Sequence, residues 1–129
     1  MKNSDERIDM LSIRTIDYEI PVIVVQGEIK AENKNEVIEA IRAVVTPARN
    51  SLILDLTGVE GSDAEETYVI IEATQRTLGA GGKLALVVSD KGTHHALKEA
   101  RVADNIEVFV FEDREKAMDF FAERGQGIA

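Results

Sequence analysis

Carboxylates are the reactive side chains that cluster in this sequence. The stretch DLTGVEGSDAEETYVII contains Asp55, Asp63, Glu65 and Glu66. Paired carboxylates can carry out general acid–base catalysis when their pKa values differ, and several converging carboxylates can bind a metal ion. In the alternative, structural interpretation, Asp55 tethers a loop and Asp63 caps a helix, with Glu66 at the capping-box position. We favour this interpretation, which leaves Glu65 with only a favourable helix-dipole interaction.

Other side chains that could bind or react give weaker signals. His94 and His95 are adjacent on a predicted helix, so their side chains point about 100° apart and do not form a metal-binding pair. The glycines within residues 79–82 follow a predicted helix and precede a strand, which is the reverse of the order in a phosphate-binding loop. We therefore interpret them as a helix C-cap and a turn.

The composition argues against several classes of function. The 129 residues include 24 acidic and 15 basic side chains, and the resulting net charge of −9 disfavours binding to nucleic acid or to an anionic membrane. The absence of cysteine excludes disulfides and thiol catalysis, and no apolar segment is long enough to span a membrane. We expect a cytoplasmic protein with a single domain over residues 1–129, flexible at 1–6 and 125–129.

Hydrophobic periodicity predicts nine elements in the order β-β-α-β-α-β-α-β-α. The predicted strands cover residues 7–15, 20–26, 51–56, 83–89 and 107–111, and the predicted helices cover 32–45, 63–78, 93–102 and 114–124. Four consecutive aliphatic residues at 22–25 indicate a strand buried on both faces. Alternating strands and helices predict an α/β fold with a mixed, mostly parallel sheet, an N-terminal antiparallel hairpin and about four covering helices.

The order of these motifs resembles the STAS domain, the fold of bacterial anti-sigma-factor antagonists. The resemblance covers residues 8–121 and includes the segments GEI, LILDLTGV, KLALVV and VFVFEDREKAMDFF. The family pattern after the central strand is aspartate-leucine-serine, a loop, and aspartate-serine-serine-glycine. The first half is matched by Asp55, Leu56, Thr57 and Val59, and the later aspartate by Asp63.

Two departures from this pattern concern a phosphorylation switch. In the antagonists, an anti-sigma kinase phosphorylates the second serine and thereby breaks the complex. Alignment from Asp63 puts Glu65 at the position of that phosphoacceptor, and a carboxylate cannot take its role, so we expect the standard switch to be absent. After GEI the family has aspartate, whereas this chain has Lys30. Because the family fold brings the two loops together, we expect Lys30 and Glu65 to lie close enough to interact.

The resemblance implies a non-enzymatic, protein-binding module of a bacterial regulatory pathway. The expected partner is a protein such as an anti-sigma factor or a related kinase-like regulator, and we expect no cofactor, metal, nucleic acid or membrane. The expected partner-binding residues are Lys30, Asp63, Glu65, Glu66 and Thr67. The alternative is a ligand-sensing or scaffold STAS subunit that binds a small molecule or self-associates, for instance as a homodimer.

Overall fold

One five-stranded sheet forms the centre of the described structure. The computed structural model describes residues 11–60, 63–88 and 108–128, with the backbone alone described at 63 and 123–128. The strands lie side by side in chain order: β1 (Ser12–Ile16), β2 (Val22–Glu28), β3 (Leu52–Glu60), β4 (Leu84–Val87) and β5 (Val108–Phe111). β1 pairs antiparallel with β2, and every later pair is parallel. The predicted mixed sheet with an N-terminal hairpin is confirmed.

Helices cover both faces of this sheet. The described residues form α1 (Lys34–Val44), α2 (Asp63–Gly79) and α3 (Arg114–Ile128), whereas the helix predicted at 93–102 lies outside them. α1 and α2 pack on one face, because the right-handed crossovers from β2 to β3 and from β3 to β4 step in the same direction. α3 follows the edge strand and packs on the opposite face.

The interior strands are apolar on both faces, as the run at 22–25 predicted. Ile23 and Val25 pack against the cluster that includes α1 and α2. Val22 and Val24 pack into a second cluster, which includes Ala117 of α3. All four strand residues are at most 7% exposed, so the strand cannot tolerate a polar side chain on either face without a buried partner for it.

β3 ends four residues later than the sequence predicted and contains a bulge. Val24 pairs with Asp55, but Gln26 pairs with Gly58, so β3 has one residue more than β2 between these two pairs. The carboxylate of Asp55 accepts hydrogen bonds from the Thr57 backbone N–H at 3.0 Å and from its hydroxyl at 2.7 Å. Asp55 therefore tethers the chain at the bulge, which confirms its interpretation as a structural residue.

α3 also extends further than predicted. It continues through Gly125 and Gly127 to its end, where the sequence indicated a flexible tail after residue 124. Glycine has no Cβ and costs a helix about 0.5–1 kcal/mol, but it retains the backbone N–H and can continue the hydrogen-bond ladder. Phe120, which was predicted to point inward, lies 4.4 Å from Phe109 between ring centroids.

A tight turn closes α2 and leads into β4. The Gly82 N–H donates to the carbonyl oxygen of Thr77 at 2.8 Å, and Gly81 has a φ of 88°, a conformation that favours glycine. The side-chain amide of Asn50 donates to the carbonyl oxygen of Ala80 at 3.3 Å. The interpretation of these glycines as a C-cap and turn is confirmed.

Gly82→Ala should destabilise the fold, because a Cβ at this position would overlap the backbone carbonyl of Asn50. We expect a loss of about 1–3 kcal/mol in the free energy of unfolding, measured by urea denaturation. Gly79→Ala is the matched control, since its Cβ would meet no atom within 4 Å. It should leave stability unchanged or raise it by about 0.5–1 kcal/mol. Equal stability of the two variants would contradict the packing described at this turn.

Candidate functional site

The carboxyl ends of β2 and β3 lie at one edge of the sheet. Because these strands are parallel, the loop that enters α1 and the first turn of α2 both begin at this edge. Open α/β sheets usually bind their ligands at such an edge. The site residues predicted from the sequence all belong to these two segments.

Asn33 fixes the backbone of the loop between β2 and α1. Its side-chain oxygen accepts a hydrogen bond from the Lys30 backbone N–H at 2.7 Å, and its amide donates to the carbonyl oxygen of Glu28 at 3.0 Å. Asn33 occupies the N-cap position of α1, but its side chain makes no capping bond to the helix. It holds the loop, and hence the base of the Lys30 side chain, in one conformation.

Glu65 is bound by a lysine of the neighbouring helix. Its Oε1 lies 3.4 Å from Nζ of Lys34, and the two side chains are only 20% and 25% exposed. The same ammonium lies 4.3 Å from the ring centroid of Tyr68, a distance typical of a cation–π interaction. The partly buried ammonium of Lys34 thus connects the start of α1 to the start of α2 through an ion pair with Glu65 and a cation–π contact with Tyr68.

The basic partner of Glu65 differs from the one that the sequence analysis expected. Within the described residues, Lys30 pairs with Glu28 at 4.0 Å, and the ion pair of Glu65 is made by Lys34. The two segments thus lie close together, but the lysine that pairs with Glu65 is Lys34 and not the expected Lys30. Lys34 is the first residue of α1, and its position at a helix start beside the expected loop was the signal that could have found it.

The remaining predicted residues occupy different environments. Glu66 is buried, with 6% exposure, and Thr67 is half-buried. Asp63 is the first residue of α2, but its side chain lies outside the described part of the structure, so its predicted capping role stays a prediction. Tyr68, which the sequence analysis did not single out, is 43% exposed beside the Lys34–Glu65 pair.

Asp55 does not belong to this site. It is 5% exposed, and its Oδ2 lies 3.7 Å from Nε of Arg114 at the start of α3, on the opposite face of the sheet. This contact and the bonds to Thr57 account for both carboxylate oxygens. In the described ranges, no three His, Cys, Asp or Glu residues are arranged to hold a metal ion; His94 and His95 lie outside those ranges.

A groove of about 860 Å³ runs between β1 and the start of α3. Ile16 and Met118 contribute apolar surface, and Tyr18 is an exposed aromatic residue at this groove. Two of its charged residues are already paired within the protein: Asp17 binds Arg49 at 2.9 Å, and Arg114 binds Asp55. None of its lining residues belongs to the Lys34–Glu65 pair, and Nη1 of Arg114 is buried without a hydrogen-bond partner among the described residues.

Comparison with known proteins identifies the family. The family profile of the STAS domain matches residues 12–117. The chain belongs to the STAS domain family. No protein in the curated collections matches this STAS chain, and none of its described helices has both the length and the apolar character that a membrane crossing requires.

Solved structures of anti-sigma-factor antagonists share the fold. An antagonist from Mycobacterium paratuberculosis superposes with a TM-score of 0.63 at 20% identity, over 86% of this chain and 93% of that one. The Bacillus cell fate determinant SpoIIAA in its phosphorylated form superposes with a TM-score of 0.66 at 12% identity, over 87% of this chain and 99% of that one. The unphosphorylated form of SpoIIAA superposes with a TM-score of 0.66 at 13% identity, over 88% of this chain and 98% of that one. These identities show a shared fold, as the sequence resemblance predicted.

The contact between Lys34 and Glu65 should be energetically significant. A double-mutant cycle with Lys34→Met and Glu65→Gln, followed by urea denaturation, should give a coupling energy of about 1 kcal/mol because the pair is largely shielded from water. The exposed pair of Arg42 and Glu39, at 3.2 Å with side chains 52% and 70% exposed, is the control and should give about 0.3 kcal/mol. Equal coupling in the two cycles would refute the special role of the Lys34–Glu65 contact.

Proposed function

We propose that this STAS domain is a non-enzymatic, protein-binding regulatory module of a bacterial pathway, and that its partner is an anti-sigma factor or a related kinase-like regulator. The proposed binding face contains Lys30, Asp63, Glu65 and Thr67, and Glu66, which was also predicted to bind the partner, lies buried beneath it with 6% exposure. The observation that carries the proposal is the Lys34–Glu65 ion pair, because the family resemblance puts the phosphoacceptor at position 65. STAS domains of the antagonist type are generally regulatory rather than catalytic, which supports the same conclusion.

The ion pair supports a rewired interface rather than imitation of a phosphoserine. A phosphoserine carries a charge of about −1.5 to −2, whereas a glutamate carries −1. At position 65 even this charge is offset by the ammonium of Lys34 at 3.4 Å. The first turn of α2 therefore presents a fixed and locally balanced pair of charges. In this proposal a kinase cannot add or remove charge at that position, and the protein stays in one recognition state.

Substitution of Glu65 should change partner affinity much more than stability. We expect Glu65→Ser, Glu65→Gln and Glu65→Ala to alter affinity by several kcal/mol, because charge juxtaposition at an interface has effects of that size. The free energy of unfolding should change by about 1 kcal/mol or less. Isothermal titration calorimetry with the partner, beside thermal unfolding, separates the two effects. Equal affinity of all four proteins would mean that Glu65 has no part in recognition.

An anti-sigma kinase should leave position 65 unmodified. A carboxylate gives no stable phosphoester, so incubation of the wild-type protein with kinase and ATP should add no phosphate there, as read by mass spectrometry of the intact protein and its peptides. Glu65→Ser is the matched control and should become phosphorylated if the rest of the acceptor site is retained. Phosphate on Ser62 or Thr67 of the wild-type protein would show instead that the acceptor has moved, and would contradict the fixed-charge proposal.

Ligand sensing is the second candidate function, and the groove between β1 and α3 is the observation that favours it. Its volume of about 860 Å³ would admit a small molecule, and it combines apolar surface with the exposed Tyr18. We rank it second because Asp17 and Arg114 are already paired within the chain. A ligand-dependent shift in melting temperature, compared with a partner pull-down, distinguishes the two functions.

A further inference from the structure

α2 has apolar side chains on its outer face as well as on its buried face. The large hydrophobic residues most exposed in the described structure are Tyr18, Tyr68 and Ile71. Tyr68 and Ile71 are 43% and 37% exposed and stand three residues apart, so they are neighbours on one side of α2. The opposite side of the helix packs into the core through Val69, Ile70 and Ala73. An adjacent exposed pair on a rigid helix is a candidate contact surface for another protein.

Tyr68 is held in position before any partner binds. The ammonium of Lys34 lies 4.3 Å from its ring centroid and is itself bound to Glu65. A large aromatic side chain that is already ordered loses little conformational entropy in a complex, and such residues supply much of the binding energy at interfaces. Tyr68 is therefore better suited to anchor a partner than a freely rotating surface tyrosine.

Glu65 supplies an unused hydrogen-bond acceptor beside this aromatic ring. Its Oε1 is bound by Lys34, whereas its Oε2 is buried and has no hydrogen-bond partner in the described structure. A buried carboxylate oxygen without a donor is unfavourable, because it has lost its hydrogen bonds to water and forms none with the protein. Because the Glu65 side chain is still 20% exposed, a rotation of its carboxylate would bring Oε2 to the surface, where an arginine or lysine donor of a partner would remove this deficit.

We propose that Tyr68, Ile71 and the Lys34–Glu65 pair form one docking surface, the α2 patch, for a protein that presents an arginine or lysine beside an apolar cluster. This inference rests on the proposed function and specifies the chemistry of the partner. The net charge of −9 attracts a basic partner and opposes docking of a second copy of this chain. The α2 patch extends the proposed binding face from the first turn of α2 along its outer side.

Site-specific photocrosslinking in the native cells tests the α2 patch. We expect benzoylphenylalanine at position 68 to crosslink a protein that the same probe at Tyr18, an exposed tyrosine in a separate region, does not capture. The captured protein, once identified and purified, should bind the wild-type chain more weakly as salt concentration rises, since its arginine or lysine groups are attracted to this acidic protein. Crosslinks to a second copy of the chain, equal capture from both positions, or no capture from position 68 would overturn the proposal.

Affinity measurements with that purified partner provide the quantitative test. Tyr68→Ala and Ile71→Ser should each weaken binding by about tenfold or more, as expected of interface anchors. Tyr68→Phe keeps the ring and should bind like the wild type, and Tyr18→Ala should have no effect. Thermal midpoints must stay unchanged, which excludes unfolding as the cause. If the Glu65 variants change affinity while Tyr68→Ala and Ile71→Ser do not, the α2 patch is wrong and the proposed function stands. If none of these variants changes affinity, both proposals fail.

Discussion

The parallel pairing of β2 with β3 determines the position of every group in the candidate site. It forces a crossover through α1, and the following parallel pair forces a second crossover through α2 on the same face. Both helices consequently start at the edge where the two strands end. Lys34 and Glu65 are 31 residues apart in the chain, yet their charged atoms lie 3.4 Å apart because of this arrangement. The burial of residues 22–25 on both faces in turn keeps β2 in the interior of the sheet.

The Lys34–Glu65 contact joins the starts of two helices but leaves one carboxylate oxygen of Glu65 without a hydrogen bond in the described part of the structure. Oε1 of Glu65 gains an ammonium partner, while the buried Oε2 gains none within the described residues. A fully satisfied carboxylate would be a purely structural group, and a fully exposed one would be a surface charge of little energetic weight. Glu65 lies between these cases, which is why we assign it to recognition. In the proposed function, the position that corresponds to the phosphoacceptor thus holds an anion whose charge is constant but whose hydrogen bonding is incomplete.

The sequence predicted the fold better than the contacts within the site. Strands and helices were identified from the spacing of apolar residues, because burial of apolar side chains produces a period of two in strands and a helical period in helices. The start of α2 at Asp63 was also predicted correctly. The end of β3 was missed because Thr57 and Gly58 resemble loop residues, although they pair with β2 through a bulge. The partner of Glu65 was missed because side-chain contacts between the starts of two helices depend on orientations that family patterns do not specify. Tyr68 was missed for another reason: exposure of an aromatic residue is a property of the packed structure.

The bulge in β3 has a geometric consequence for the chain beyond it. Side chains on a strand alternate between faces with a period of two residues, so one extra residue shifts the phase by half a period. Leu54 and Leu56 face α1 and α2, and beyond the extra residue this face is occupied by Val59 rather than by residue 58. The chain therefore leaves the sheet with its odd-numbered positions toward the helices. A deletion of one residue at Thr57 would restore the regular alternation with Val59 still toward the helices, but it would remove the hydroxyl that binds the Asp55 carboxylate at 2.7 Å.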